Sequence, residues 1–357
     1  MIDDIFGKNY KSMYNLKSIT LLGILGFSIF ISSCTKTDSV TAGTSGNWVR
    51  RSDFEGVTRS EASSFVIGTK AYITTGYDGT IRKNDLWSYD AAADSWGAQL
   101  ADFPGAARNS AVAFTAAGNG YVGTGFDGVN RLKDFWQYNP ATNTWLQKAD
   151  FGGSARQDAV GFGIVSKGYI STGYDGNYLK DIWQYDPAAD AWTQQVSMGG
   201  TKRSGAVVFV YKNKAYVTTG ANNGSSNDVN DLWVFDPTMA TSATVSGWIE
   251  KRRISNVSTD TYDDAYNIVR TNAVAFVMGD YAYITTGSNG SVLSTTWEYN
   301  FSTDVWAAKT AYEGVAREGA IGFSVSDRGY VTTGRSSTTP FDDIREFHPS
   351  ETYNAND

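Results

Sequence analysis

The side chains that could do chemistry in this chain are few in kind. It has 357 residues with 37 acidic and 30 basic side chains, a formal charge of −7, one histidine (His348) and one cysteine (Cys34). That scarcity excludes disulfide scaffolds, Cys/His zinc sites and the Cys–His nucleophile pair, and a Ser-His-Asp triad would have to use His348. No metal and no other cofactor is expected. The negative balance also argues against a nucleic acid held by general electrostatics. What stands out instead is six arginines in a repeated context: Arg59, Arg108, Arg156, Arg203, Arg270 and Arg317. A planar guanidinium pairs bidentately with carboxylate, sulfate or phosphate, so a ring of six would suit an acidic ligand. The same arginines have a competing use. Asp85, Asp134, Asp181, Asp231 and Asp343 follow five of them, with Thr295 in the remaining place. Repeated opposite charges at matching heights more often satisfy one another than wait for a ligand, and the structural pairing is the favoured expectation.

Positions that break the repeat carry more information about a ligand. Two residues after each arginine come Glu61, Ser110, Asp158, Gly205, Asn272 and Gly319, with Glu318 beside the last. Such a layer could shape one side of a binding mouth. Turns beginning at Tyr77, Phe126 and Tyr174 add aromatic surface for stacking against sugars or anchoring a partner. A long segment, residues 250–269, brings Asp260, Tyr262, Asp263, Asp264 and Tyr266 to the same side. Long loops in a compact ring are commonly binding or gating elements. The Asp-x-x-Asp-Asp spacing inside it lacks the pattern of a calcium loop.

The elements that must hold these residues follow from self-similarity. Each arginine starts the pattern Arg-x-x-Ala-x-x-Phe, a tyrosine follows the phenylalanine by seven residues, and a Thr-Gly pair ends 17 residues after the arginine in all six units. First tryptophans follow at Trp87, Trp136, Trp183, Trp233 and Trp297, with Arg345 in the sixth place. Second tryptophans stand at Trp96, Trp145, Trp192, Trp248 and Trp306, and the sixth is displaced to Trp48 near the other end of the chain. Short alternating runs rich in Val, Ile, Tyr, Phe and Trp read as four strands per unit. Four strands repeated at blade length predict an all-β, six-bladed β-propeller. The displaced tryptophan predicts the closure: the N-terminal strand at 46–50 completes the last blade, whose third strand is 343–347.

These motifs, together with strands such as Asp85-Leu-Trp-Ser-Tyr-Asp90, resemble the kelch family over residues 46–349, with Thr-Gly replacing the family's Gly-Gly pair. The resemblance implies loops around one end of the channel as the binding face. Galactose oxidase shares this fold, but its copper centre needs histidines and a Tyr–Cys cross-link that one His and one Cys cannot supply. The resemblance also extends to a sialic-acid mutarotase, an alternative in which Glu61, Asp158 or Glu318 beside an arginine would serve as general acid and base. The favoured reading is a monomeric, non-catalytic module that binds a glycan or protein partner through the arginine face, including Tyr262 and Asp263 of the long loop.

The N-terminus carries an address. An apolar run of thirteen residues, 19–31, follows Lys8, Lys11 and Lys17 and is too short to span a bilayer. It ends in Ile31-Ser32-Ser33-Cys34, which resembles the lipobox of bacterial lipoproteins. The expected organisation is a signal peptide at 1–33, a Ser/Thr/Gly-rich tether at 34–45 after lipidated Cys34, the propeller at 46–349 and a tail at 350–357. Lipid would hold the protein at the bacterial envelope membrane, with Thr35 fitting outer-membrane delivery.

Overall fold

The computed structural model describes residues 45–222, 229–242 and 244–357. The expected signal, tether and Cys34 lie outside them, apart from Ser45. The described chain forms six antiparallel sheets in which consecutive strands pair, so each sheet is one blade of a six-bladed β-propeller. Blade two shows the plan, with strands Val112–Ala116, Asn119–Gly123, Phe135–Asn139 and Thr144–Lys148. Its first strand alternates buried and half-buried residues along the channel, its second is buried on both faces apart from its first residue, and its fourth is mostly exposed at the rim.

The repeated aromatics explain why the units stack. Each Phe is the register partner of the Tyr seven residues on, as in Phe65↔Tyr72 and Phe162↔Tyr169. Their rings lie nearly parallel with centroids 5.1 and 5.2 Å apart. Such cross-strand pairs pack a pleated face and fill the wedge between blades. The second tryptophans lock the rim: Trp96, Trp145, Trp192 and Trp248 each donate an indole N–H to a backbone carbonyl of the connection entering their own blade, at 2.9–3.1 Å.

Closure follows the displaced tryptophan. Asn47–Arg51 pairs antiparallel with Ile344–His348, with Trp48 opposite Phe347. Trp48 is fully buried, sits edge-on to Tyr312 at 5.0 Å and donates to the Thr310 carbonyl at 3.3 Å. The tail after the ring is tied to this seam, because Gly46 N–H donates to the Glu351 carbonyl and Asn354 N–H to Asn47 Oδ1. Among the described residues no helix is long and apolar enough to cross a membrane.

Candidate binding face at the channel mouth

The six arginines are built into the wall. All are buried with no exposed surface, and each sends Nε to the carbonyl two residues before it and Nη1 to the carbonyl of the Thr sixteen residues on. The Thr-Gly pair makes that second contact possible. Both residues have positive φ, as at Thr75 (62°) and Gly76 (102°), which turns the Thr carbonyl inward. The Gly N–H then donates to the carbonyl of the next blade's arginine, from Gly76 to Arg108 around to Gly334 to Arg59, a belt that links all six blades. At Gly76 a Cβ would lie 2.9 Å from Ala62 Cβ and 3.0 Å from the Ser60 carbonyl, so packing and backbone both call for glycine.

Five arginines finish on an aspartate. Arg59 reaches Asp85 through Nη1 and Nη2 at 2.5 and 2.7 Å, and Arg108, Arg156 and Arg317 hold Asp134, Asp181 and Asp343 in the same bidentate way. Arg203 contacts Asp231 through Nη2. Burial alone would raise the carboxyls of Asp85 and Asp134, but the hydrogen bonds and charge of their arginines outweigh it and hold them below the ordinary 3.8. Aromatic rings cover several of the guanidinium planes, at 5.0 Å for Phe54 on Arg59 and 4.8 Å for Phe103 on Arg108. The alternative of a guanidinium ring open to a ligand is corrected on this point: all six groups are desolvated, and in five of them an aspartate takes the terminal nitrogens.

The layer two residues further on has a structural role that the sequence did not reveal. Glu61, Ser110, Asp158, Gly205, Asn272 and Gly319 all adopt φ between 52° and 62°. Their N–H groups donate in one closed circle, each to the carbonyl of its counterpart in the preceding blade, from Ser110 to Glu61 around to Glu61 to Gly319, at 2.7–3.1 Å. The left-handed backbone favours Gly, Asn and Asp, which accounts for four of the six positions without a ligand. The side chains that remain are gathered at the mouth, around a cavity of about 130 Å³. Glu61 accepts from Ser110 Oγ at 3.1 Å and pairs with Arg335 at 3.1 Å, and Arg335 also pairs with Glu318 at 3.3 Å. Desolvation in the mouth raises the Asp158 carboxyl, against hydrogen bonds from Gln157 and Ser110, and the charge of Glu61 adds to the rise.

The aromatic turns form an arc with arginines that the sequence reading had not singled out. The Arg82 guanidinium lies 5.1 Å from the Tyr77 ring and 5.0 Å from the Phe126 ring, bridging blades one and two. Arg131 lies 4.6 Å from the Tyr174 ring, which also packs at 5.2 Å on Tyr178. Tyr77, Phe126, Tyr174, Arg82 and Arg131 are all half-buried. Asp78 and Asp127 within these turns cap backbone N–H groups at 2.7–2.8 Å and serve the turn itself.

The long loop divides its candidates. Tyr262 is half-buried under Arg252 at 4.4 Å. Asp263 is buried in a 3₁₀ turn and accepts from Val257 N, Ser258 N and Ser258 Oγ, so its expected place on the open face is corrected: it closes the loop. His348 lies at the closing seam, with Nδ1 2.9 Å from Glu351 Oε1. Among the described residues no group of three or more His, Cys, Asp or Glu side chains is placed to hold a metal ion.

The molecule is therefore a six-bladed β-propeller. Residues 169–199, in blade three, match the family model described as Kelch motif. No curated protein sequence matches the chain. A solved structure titled "Structure of YjhT" aligns with a TM-score of 0.66 and 16% identity, covering 82% of this chain and 95% of that one. At that identity the likeness is one of fold.

Proposed function

We propose that this protein is a non-catalytic binding module that takes a glycan or protein partner on the channel-mouth face of blades one to three, held at the bacterial envelope by lipid on Cys34. The supporting observation is the arc of Tyr77, Arg82, Phe126, Arg131 and Tyr174, where flat rings and guanidinium planes alternate around the mouth. Stacked arginine and tyrosine are the side chains that most often dominate recognition, because they are stiffened before the partner arrives. Capture from a glycan array and from detergent-solubilised envelopes, each with the native protein and with a Tyr174→Ala/Arg131→Ala variant, tests the face. Loss of the captured species with an unchanged fold supports it, and equal capture by both proteins contradicts it. Cys34→Ser abolishing the mass of a lipid-modified N-terminus tests the anchor.

A second reading, a sugar mutarotase of the sialic-acid type, is favoured by one feature. Asp158, raised by desolvation, and Glu61 share the mouth, a pairing that suits an acid and a base. Anomeric exchange of freshly dissolved sugar followed by NMR separates the two readings: exchange no faster than in buffer removes the enzyme.

A further inference from the structure

In blades one to four a single aspartate collects three donors. Besides two arginine nitrogens in blades one to three, it takes the indole N–H of the tryptophan two residues on: Trp87 on Asp85, Trp136 on Asp134 and Trp183 on Asp181, at 2.8–2.9 Å. In blade four Asp231 takes Arg203 Nη2, the Thr201 N–H at 3.1 Å and the Trp233 indole N–H at 3.1 Å. Blade five keeps the donors and lacks the carboxylate. Arg270 is fully buried, and its hydrogen bonds go to neutral acceptors only: the carbonyls of Ile268, Thr286 and Thr295 and the Thr295 hydroxyl, at 2.8–3.0 Å. Trp297 is 5% exposed and its buried Nε1 has no hydrogen-bond partner. No carboxylate offsets the burial of Arg270, which is pushed down to about 10. The buried acid of the covering loop, Asp263, is turned to Val257 and Ser258 instead. Thr295 is exposed, so the residue in the aspartate's place borders solvent, while Trp297 Nε1 and Arg270 lie beneath it.

A buried guanidinium without a counter-charge and an indole N–H without an acceptor are each unfavourable, and a neutral water would satisfy only the second. Blades one to four show which chemistry answers both at once. We infer that blade five carries an anion site, in which Arg270 Nη2, Trp297 Nε1 and the Thr295 hydroxyl hold one chloride ion or one small carboxylate of formate size. The hydroxyl accepts from Arg270 and keeps its own proton to donate to the anion. A single positive charge and three donors match a monoanion. A phosphate dianion would carry more charge than the site can neutralise.

The test is thermal unfolding of the full chain in sodium chloride against sodium gluconate at equal ionic strength, with sodium formate as a third arm. The unfolding midpoint is expected to rise saturably by a few degrees in chloride and in formate, as for any ligand that binds only the native state. Thr295→Asp supplies the carboxylate from the chain and is expected to abolish the anion dependence. Trp297→Phe removes one donor and leaves a smaller ring in the core, and it is expected to raise the half-saturating chloride concentration about tenfold. It carries the test should Thr295→Asp fail to fold. Broadening of the chloride NMR line, present in the native protein and lost in the folded variants, reads binding directly. Midpoints independent of the anion overturn the site. Broadening equal in native and variant protein means an adventitious ion only and overturns it as well.

Discussion

Blade two and blade five begin from the same pattern and end differently. In blade two Arg108 lies on Phe103, sends its two terminal nitrogens to Asp134, and shares that carboxylate with Trp136. In blade five Ile254 holds the backbone position of Phe103, Thr295 that of Asp134, and Arg270 and Trp297 are left with neutral oxygens or none. Eleven further residues separate Ile254 from Arg270, and they fold back so that Tyr266 and Ile268 bury against Trp297 and Trp306. The difference teaches that the arginine is kept for the blade. Its backbone and Thr-carbonyl contacts persist without the aspartate, while the charge balance is set by the residue that varies.

Removing the cation should break this comparison most strongly. Arg108→Met leaves Asp134 desolvated without its cation and is expected to lower the unfolding free energy by about 3–5 kcal/mol, whereas Arg270→Met forfeits hydrogen bonds to neutral acceptors only, strands no charge and should cost less, about 1–3 kcal/mol. Urea unfolding of the two variants checks this, and equal losses would show that the carboxylate does not matter.

Acid should separate the blades next. Asp85 and Asp134 have folded values below 3.8, so their contribution is complete above that value and is lost as pH falls through the lowered one. Blade five has no such group. An aspartate introduced at position 295 should add stability at neutral pH that disappears in that same acid window, seen as converging urea midpoints of variant and native protein.

The indoles should give the smallest effect. Trp183→Phe loses a hydrogen bond to Asp181 and is expected to cost about 1 kcal/mol more than Trp297→Phe in gluconate, where the N–H has no protein acceptor to lose. Guanidinium chloride is unsuitable for this pair, because it supplies the anion.

Much of the fold was legible because its signals are local and repeated. Fixed spacings from arginine to Phe, Tyr and Gly give blades, and Trp48 standing far from its unit gives the seam between Asn47–Arg51 and Ile344–His348. The Arg–Asp pairs were legible as well, since both partners lie in one unit. What escaped depends on neighbouring blades meeting in space. Arg82 reaches Phe126 across a blade boundary, and no spacing within one unit announces it. The circle of positive-φ residues was visible as a variable layer, but its Gly, Asn and Asp content signalled backbone conformation as well as chemistry. Asp263 looked available because a loop acid is usually solvated, and only the folded loop shows it capping Ser258.

The central claim, that one carboxylate per blade balances a structural arginine, is tested most directly by Thr295→Asp in gluconate at neutral pH. Urea unfolding should show a gain of about 1–3 kcal/mol over the native protein, the range of a hydrogen bond to a charged partner. An unchanged or lowered unfolding free energy in a variant that folds normally would contradict the account.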